Sequence, residues 1–339
     1  MEALETIGIF AAQTFLILFA IIAVIVVIAM VAAKAQHKSE IEIELLHKKY
    51  KRFGALLKAQ TLSKNERKEE KKKRKAEQKS QEGKSRQDEK KIFVIDFHGD
   101  IKASAVDSLR EEVTAVLSSA TSQDEVVVRV ESPGGVVHGY GLAAAQLIRI
   151  RERNIPLTIC VDKVAASGGY MMAVTGNKIL SAPFAIVGSI GVVAQVPNLH
   201  RVLKKHDVDY KEYTAGEYKR TVSLLGEITD KGEEKFKEQL EQTHVLFKGF
   251  VQKFRSQMDV SKVATGEYWY GEQAITLGLV DEIKTSDDYL LALSEKHQVI
   301  KITYQHHQSL SEKLTGIVGK GLHKAGTRLL EDMETRRFL

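Results

Sequence analysis

Val126-Val-Val-Arg-Val-Glu-Ser-Pro-Gly-Gly-Val136 joins an apolar run to a glycine turn, and apolar residues recur at helical spacing over residues 139–150 behind it. This order predicts a strand, a tight turn and a helix. Gly134 and Gly135 allow the backbone to approach a ligand closely, so the N–H of Gly135 could point at a carbonyl oxygen. Because Pro-Gly-Gly alone is usually only a turn, its meaning depends on the segments around it.

Strand-like and helix-like runs alternate on both sides of this stretch. The first is Ile92-Phe-Val-Ile-Asp-Phe97, and the later runs cover residues 105–117, 126–130, 139–151, 157–161, 168–175 and 178–181. The alternation predicts an α/β domain, and residues 92–285 supply enough chain for one substantial core. Periodicity does not separate an ordinary doubly wound sheet from a superhelix of repeated units.

A second glycine turn follows one strand–helix unit later and contains a serine. Residues 161–170 are Val-Asp-Lys-Val-Ala-Ala-Ser-Gly-Gly-Tyr. A strand ending at Val161, a tight turn at Ala165–Ala166 and a helix beginning at Gly168 would expose the Ser167 hydroxyl beside unpaired N–H groups. The alternative is a helix start with small residues that packs against a sheet.

Five short motifs follow one another along the chain: Glu131-Ser-Pro-Gly-Gly135, Ala165-Ala-Ser-Gly-Gly-Tyr170, Val187-Gly-Ser-Ile-Gly-Val192, Gly216-Glu-Tyr-Lys219 and Ala264-Thr-Gly-Glu-Tyr-Trp-Tyr-Gly271. They occur in the order seen in the SppA/SohB family of membrane-bound Ser-Lys peptidases, which this chain resembles over nearly its whole length. The resemblance implies a Clp/crotonase-like superhelix of β-β-α turns and a hydrolase that needs no cofactor.

The same resemblance implies a role for each candidate site residue. Ser167 is the nucleophile, Lys219 is the general base, and Ser189 hydrogen-bonds the lysine amine. The N–H groups of Gly135 and Gly168 form the oxyanion hole. A lysine acts as a base only when it is neutral near the working pH, which burial in a cleft can achieve. The alternatives are a solvated lysine beside an arginine and an ordinary turn serine.

Other catalytic classes have less support. A histidine triad like that of the Clp peptidases is not expected, because His138 precedes Ser167 and His200 follows an apparent loop. No His-Glu-x-x-His sequence occurs, and His306-His307 has no partner ligands at metal spacing, so no metal is predicted. An acyl-CoA enzyme of crotonase type would not need a serine with a lysine. A membrane scaffold without activity remains the alternative function.

The N-terminal residues predict a membrane anchor. Residues 15–33 contain no charged side chain, and such a run is long enough to cross a bilayer as a helix, so residues 1–33 form the predicted transmembrane segment. Ala33-Lys34-Ala35 resembles a signal-peptide cleavage site. Glu2 and Glu5 nevertheless replace the usual basic residues, and the apolar core is long, so an uncleaved anchor is favoured.

Two arguments place the catalytic domain on opposite sides of the membrane. The resemblance implies a single-pass protein of the bacterial cell inner membrane with a periplasmic catalytic domain. Basic residues after the predicted anchor and acidic residues before it favour the cytoplasm instead. The single Cys160 is compatible with either compartment.

Residues 34–91 form a predicted charged linker. Their net charge is +10 against +6 for the whole chain, which leaves −4 for the remainder. Residues 41–57 have a helical pattern with an apolar face, whereas residues 64–91 are almost wholly polar and predict a solvated, partly helical or disordered spacer. Contact with lipid headgroups is compatible with this charge, but nucleic-acid binding is not expected because residues 64–91 contain no aromatic side chain.

The last part of the chain adds a long helix and an extension. Residues 227–255 predict an amphipathic packing helix, and residues 286–339 a C-terminal extension that is helical over residues 310–339. The resemblance implies a homo-oligomer with a peptide or protein substrate. It also implies cleavage of extended apolar or small-residue segments such as signal-peptide remnants or membrane-protein fragments.

Overall fold

The computed structural model describes residues 15–16, 18–19, 22, 40–63, 65–69, 72 and 90–305. The described residues within 43–304 form one compact unit. Among the described residues, none of the helices has both the length and the apolar character needed to cross a bilayer. The predicted anchor, residues 34–39, 64, 70–71 and 73–89 of the linker, and the predicted helix at 310–339 lie largely or wholly outside the described residues.

The described residues form a mixed α/β fold with two sheets. In chain order its elements are β1 (Ile41–Leu45), α1 (Leu46–Thr61), β2 (Lys91–His98), α2 (Val106–Leu117), β3 (Glu125–Glu131), α3 (Val137–Glu152), β4 (Leu157–Val161), β5 (Val164–Ala166), α4 (Gly168–Ala173), β6 (Lys178–Ser181), β7 (Ile186–Gly188), α5 (His200–Lys205), α6 (Asp230–Phe254), α7 (Val260–Val263), β8 (Tyr268–Tyr270), α8 (Gly271–Ala274), β9 (Glu282–Ile283), α9 (Ser286–Ser294) and β10 (Gln298–Tyr304).

The main sheet has the strand order β1-β10-β2-β3-β4-β6-β9. Strands β2 and β3 pair in parallel from Ile92 opposite Glu125 to His98 opposite Glu131. Val126, Val127 and Val128 are completely buried, as expected for a parallel strand that is covered on both faces. Because β2, β3 and β4 are parallel, their carboxyl ends meet at one edge of the sheet.

A second, three-stranded sheet lies at that edge. Strand β5 pairs in parallel with β7, and β7 pairs with β8 in the antiparallel direction. The predicted tight turn at Ala165–Ala166 is wrong, because both residues belong to β5. The Ser132 N–H donates to the Val164 carbonyl over 2.8 Å, and the Ala166 N–H donates to the Ser132 carbonyl over 3.0 Å. These two bonds join the Pro-Gly-Gly turn to the strand that precedes Ser167.

The compact unit extends beyond the predicted domain of residues 92–285. Strand β10 lies beside β2, and the buried core includes Leu290 and Val299 from the C-terminal side and Leu46 from the N-terminal side. The predicted helical pattern holds for α1, but Ile41–Leu45 is strand β1 instead. Its apolar residues alternate, which is the period of a strand.

One charged cluster ties three strands together. Asp96 on β2 accepts two hydrogen bonds from Arg129 on β3, at 2.6 and 2.7 Å, and its Oδ2 lies 2.7 Å from the Lys301 amine on β10. Burial of the carboxyl favours its neutral form, but the hydrogen bonds and charges of Arg129 and Lys301 outweigh burial and hold the pKa of Asp96 below its ordinary value.

Candidate active site

An open cleft of about 910 Å³ lies where the main sheet meets the second sheet and α6. It brings together four of the five predicted site residues, which are Gly135, Ser167, Gly168 and Ser189. Its walls are mostly apolar. They include Ile101, Val137, Met171, Val192, Val193, Leu246, Phe247 and Phe250.

Ser167 has a backbone conformation that L-residues rarely adopt. It precedes the first residue of α4 with φ 52° and ψ −117°, and its side chain does not cap the helix. The Ser167 N–H donates to the Gly188 carbonyl over 2.8 Å, which fixes the strained residue between β7 and α4. Strain of this kind costs roughly 1–3 kcal/mol and is concentrated at functional sites.

The Pro-Gly-Gly turn lies directly against Ser167. Gly134 has φ +89°, and a Cβ built on it would lie 2.7 Å from the Ser167 Cβ and 2.8 Å from the Gly168 nitrogen. A Cβ on Gly135 would overlap the backbone of Ile101. Only glycine therefore allows the two loops to approach this closely.

Two backbone N–H groups remain available in the cleft. The Gly134 N–H donates to the Ser132 hydroxyl over 3.1 Å, and the Val136 N–H donates to the Ile101 carbonyl over 2.9 Å. Within the described part of the chain, no hydrogen-bond acceptor takes the N–H of Gly135 or of Gly168, the first residue of α4. These are the donors that the sequence assigned to the oxyanion hole, and donors held in place before the reaction are what such a hole needs.

Ser189 is a second strained serine in the same cleft. It follows β7 with φ 51°, and its N–H donates to the Glu267 carbonyl over 2.7 Å. The preceding residue, Gly188, accepts the hydrogen bond from Ser167. The Gly188 carbonyl and the Ser189 N–H belong to the same peptide bond. One backbone segment therefore fixes the positions of both serines.

Lys219 does not lie among the residues that line this cleft. It is exposed, in a turn in which its N–H donates to the Gly216 carbonyl over 3.1 Å, and residues 204–220 are all exposed. The neighbouring Arg220 pairs with Glu212 at 2.9 Å. A single copy of the chain thus presents the predicted nucleophile and oxyanion donors together, while the predicted base lies in solvent.

Two further polar side chains, which were not among the predicted site residues, lie in the cleft region. Tyr140 on α3 lines the cleft and is completely buried, and burial raises the pKa of its hydroxyl. His244 on α6 also lines the cleft, 3.9 Å from Glu241 through its Nδ1, and its Nε2 is buried with no hydrogen-bond partner among the described residues. A histidine on the apolar face of an amphipathic helix was the available signal. His138 and His200 do not line the cleft.

Comparisons with known proteins identify the lineage. Residues 2–147 match the profile described as peptidase family S49 N-terminal, and residues 149–300 match that of peptidase family S49. A probable protease SohB from Haemophilus influenzae is 52% identical over 326 residues, which cover 92% of this chain and 92% of the relative. The chain belongs to peptidase family S49.

Other proteins are also similar to this S49 peptidase. A probable protease SohB from Buchnera aphidicola subsp. Schizaphis graminum is 43% identical, and the match covers 94% of this chain and 95% of the relative. A solved mutant of the 1510-N membrane-bound stomatin-specific protease has a TM-score of 0.39 at 16% identity, and the match covers 60% of this chain and 84% of that chain.

The predicted membership in the family that includes the SohB proteins is confirmed, and the chain is a peptidase. The junction between the two matched regions falls inside α3. The S49 peptidase therefore builds its cleft from both regions, with the Pro-Gly-Gly turn from the first and both strained serines from the second.

Proposed function

We propose that this S49 peptidase is a serine endopeptidase that cleaves extended peptide segments of apolar or small residues through an acyl-enzyme on Ser167. One observation carries the proposal. Ser167 lies in a strained conformation at the start of α4, inside a cleft, beside the free N–H groups of Gly135 and Gly168.

The chemistry follows from this arrangement. The Ser167 oxygen bonds to the scissile carbonyl carbon while its proton passes to a base, and the carbonyl oxygen becomes an oxyanion that the two N–H groups stabilise. Collapse of this intermediate breaks the C–N bond, and the amine leaves with the proton from the base. Water then gives a proton to the same base and attacks the acyl-enzyme, which releases the acid and restores the Ser167 hydroxyl.

Lys219 is the proposed base, with Ser189 as the hydrogen-bond partner of its amine. Because Lys219 is exposed in one protomer, it has to be brought to the cleft for this role, and a second copy of the chain in a homo-oligomer is the proposed source. Exposed aromatic residues in the same segment support a surface that is covered on assembly. Tyr213 is 89% exposed, and Tyr210 and Tyr218 are also exposed.

The proposed substrate class rests on the walls of the cleft. Met171, Phe247 and Phe250 supply apolar surface near Ser167. Burial of apolar side chains of a substrate against such walls is favourable by about 25 cal/mol per Å². Signal-peptide remnants and fragments of membrane proteins have this composition.

The proposed fold type is the Clp/crotonase-like superhelix of β-β-α turns. The order β4, β5, α4 supports it, since one strand in the main sheet is followed by one in the second sheet and then by a helix. Strands β6 and β7 repeat the first two steps of this order.

Residues 1–33 are proposed to be a single-pass anchor in the inner membrane of a bacterium. The charged linker is proposed to lie at the lipid surface. The catalytic domain is proposed to face the periplasm, against the charge argument for the cytoplasm. Labelling of a cysteine introduced at Ser118, which is exposed and lies outside the segment proposed to be covered on assembly, with a membrane-impermeant thiol reagent on intact and on lysed cells, tests the side.

The test of the proposed function is hydrolysis of apolar fluorogenic peptides by the detergent-solubilised protein. Ser167→Ala and Lys219→Ala are both expected to abolish hydrolysis while their melting temperatures stay close to that of the parent. A mixture of the two inactive variants is expected to regain activity if the base comes from a second copy, because some sites then hold both residues. Unchanged hydrolysis by Ser167→Ala would reject the proposal, and a parent without activity would support the inactive scaffold.

A further inference from the structure

A chain of hydrogen bonds runs from the Pro-Gly-Gly turn to the segment that follows β2. The Tyr140 hydroxyl donates to the Asp100 carbonyl over 2.7 Å. A carbonyl only accepts, and a tyrosine hydroxyl has a single proton. The 2.5 Å contact between Tyr140 and Ser132 therefore has Ser132 as its donor. The Ser132 oxygen in turn accepts the N–H of Gly134 over 3.1 Å.

The directions of these bonds are thus fixed from one end to the other. Gly134 donates to Ser132, Ser132 donates to Tyr140, and Tyr140 donates to Asp100. Ser132 and Tyr140 are both completely buried. A Cβ on Gly99 would overlap both hydroxyl groups, so the space around the chain is filled by protein. No reversed arrangement of protons satisfies all three bonds.

This chain holds one half of the predicted oxyanion hole. The Gly135 N–H belongs to a short backbone segment whose neighbouring N–H groups, on Gly134 and Val136, are both tied to protein acceptors. Glycine has more backbone freedom than other residues. The bond from Gly134 to Ser132 therefore removes a rotation that would otherwise redirect the Gly135 N–H.

The Tyr140 ring contacts the other half of the predicted oxyanion hole, at Gly168. A Cβ on Gly168 would overlap the Tyr140 ring, and a Cβ on Gly169 would lie 2.6 Å from the Ser132 carbonyl oxygen. The start of α4 thus rests on the same tyrosine and serine that fix the Pro-Gly-Gly turn. One buried pair of side chains touches both loops that supply oxyanion donors.

We propose that Tyr140 and Ser132 are positioning residues that set the separation and direction of the Gly135 and Gly168 N–H groups. The inference rests on the proposed function, because it assumes that these N–H groups stabilise an oxyanion. Neither side chain exchanges a proton with the substrate. Their effect is to keep the donors in place before the reaction, so that no backbone reorganisation accompanies the formation of the oxyanion.

The experiment compares Tyr140→Phe with Tyr170→Phe. Tyr170 is also completely buried, and its hydroxyl also donates to a backbone carbonyl, that of Leu279 at 2.9 Å, but it does not line the cleft. Each variant loses one buried hydroxyl and keeps its ring. A purely structural role predicts similar behaviour of the two variants, whereas a positioning role predicts a catalytic loss in Tyr140→Phe alone.

For Tyr140→Phe we expect kcat for peptide hydrolysis to fall about 10-fold or more, with KM changed less than about 3-fold. Complete loss of one oxyanion donor costs ~10²–10³ in kcat, which sets the upper limit. Inhibition by a peptide aldehyde, whose adduct with Ser167 places an oxyanion in the hole, should weaken in parallel. Tyr170→Phe should keep kcat and aldehyde inhibition within about 2-fold of the parent.

Ser132→Ala is the second variant, and it tests the proposal independently if Tyr140→Phe does not fold. It should reproduce the loss of kcat, and the double variant should be no slower than the slower single variant, because both side chains act through one chain. Equal kcat losses in Tyr140→Phe and Tyr170→Phe, or parental kcat in both Tyr140→Phe and Ser132→Ala, would overturn the inference while Ser167→Ala remained inactive. If Ser167→Ala kept full activity, the proposed function itself would fail.

Discussion

Gly134 lies so close to Ser167 that a Cβ on the glycine would sit 2.7 Å from the Cβ of the serine. The glycine also has φ +89°, a conformation that costs an L-residue energy. The Pro-Gly-Gly turn and the serine loop therefore touch only because position 134 has no side chain.

Gly134→Ala should remove nearly all peptidase activity and lower the free energy of unfolding by about 2 kcal/mol or more, because strain and overlap act together. Hydrolysis assays and thermal melts measure the two effects. Gly249→Ala is the control, since a Cβ there meets nothing within 4 Å and the residue lies in the interior of α6. It should keep full activity and gain about 0.5–1 kcal/mol. A fully active Gly134→Ala would contradict the observed contact.

The strain at Ser167 predicts an unusual order of stability. In a helix or strand, a protein with glycine at a given position is ordinarily less stable than one with alanine there, by about 0.5–1 kcal/mol. At position 167, glycine relieves the strain of φ 52° and ψ −117°, and neither replacement loses a capping bond. The free energy of unfolding of Ser167→Gly should therefore exceed that of Ser167→Ala by about 1 kcal/mol. Ser167→Gly should accordingly unfold at the higher denaturant concentration. The opposite order would mean that the serine is not strained.

Glu112 on α2 predicts a pH-dependent stability. Burial, aided by the charge of Asp96, raises the pKa of its carboxyl from 4.5 to about 7, although the carboxyl accepts the Tyr304 N–H over 2.8 Å. Since the folded pKa lies above the unfolded one, the folded state binds the extra proton between these values. Binding of this proton adds roughly 3 kcal/mol to the free energy of unfolding. The full contribution is present below pH ~4.5, and it disappears as the pH rises to about 7.

Glu112→Gln should remove this dependence, because the amide oxygen still accepts the Tyr304 N–H and carries no charge. The variant should match the parent near pH 4.5 and exceed it by up to ~3 kcal/mol above pH 7. Urea unfolding at a series of pH values measures the difference. Parallel curves for parent and variant would show that Glu112 ionises normally.

His244 provides a test of which group is the base. If Lys219 is the base, His244→Gln should keep kcat within about 3-fold of the parent, because His244 then only forms part of the cleft wall. Loss of a catalytic base costs far more, on the order of 10³-fold or greater. A loss of that size in a folded His244→Gln protein would assign the base to the histidine and reject the Ser-Lys mechanism.

The sequence was most informative where strands are buried on both faces. Strands β4 and β6 occupy the predicted residues 157–161 and 178–181, because short segments with apolar residues at their centre, flanked by turns, are typical of buried strands. Strand β10 was not predicted. Its sequence Gln298-Val-Ile-Lys-Ile-Thr-Tyr304 mixes polar and apolar residues, and its place in the sheet depends on pairing with β2, about 200 residues earlier.

The same contrast applies to the candidate site. Ser167 and the glycine turns were identified because they occupy short motifs at the ends of predicted strands. Tyr140 had no such signal, since its importance arises from contacts with Ser132 and Gly168, which belong to other elements. Lys219 was assigned from the family resemblance alone. Its placement next to Ser167 remains a prediction.

The cleft is assembled from parts of the chain that are synthesised far apart. The Pro-Gly-Gly turn lies at residues 133–135, the nucleophile loop at 167–168, and the α6 wall at 243–250. The sheet that supports them also needs β10, at residues 298–304. A nascent chain that has emerged only as far as Ser189 lacks both the wall and the strand, and pairings between distant residues form late. The candidate cleft therefore stays incomplete until the chain has been synthesised as far as residue 304.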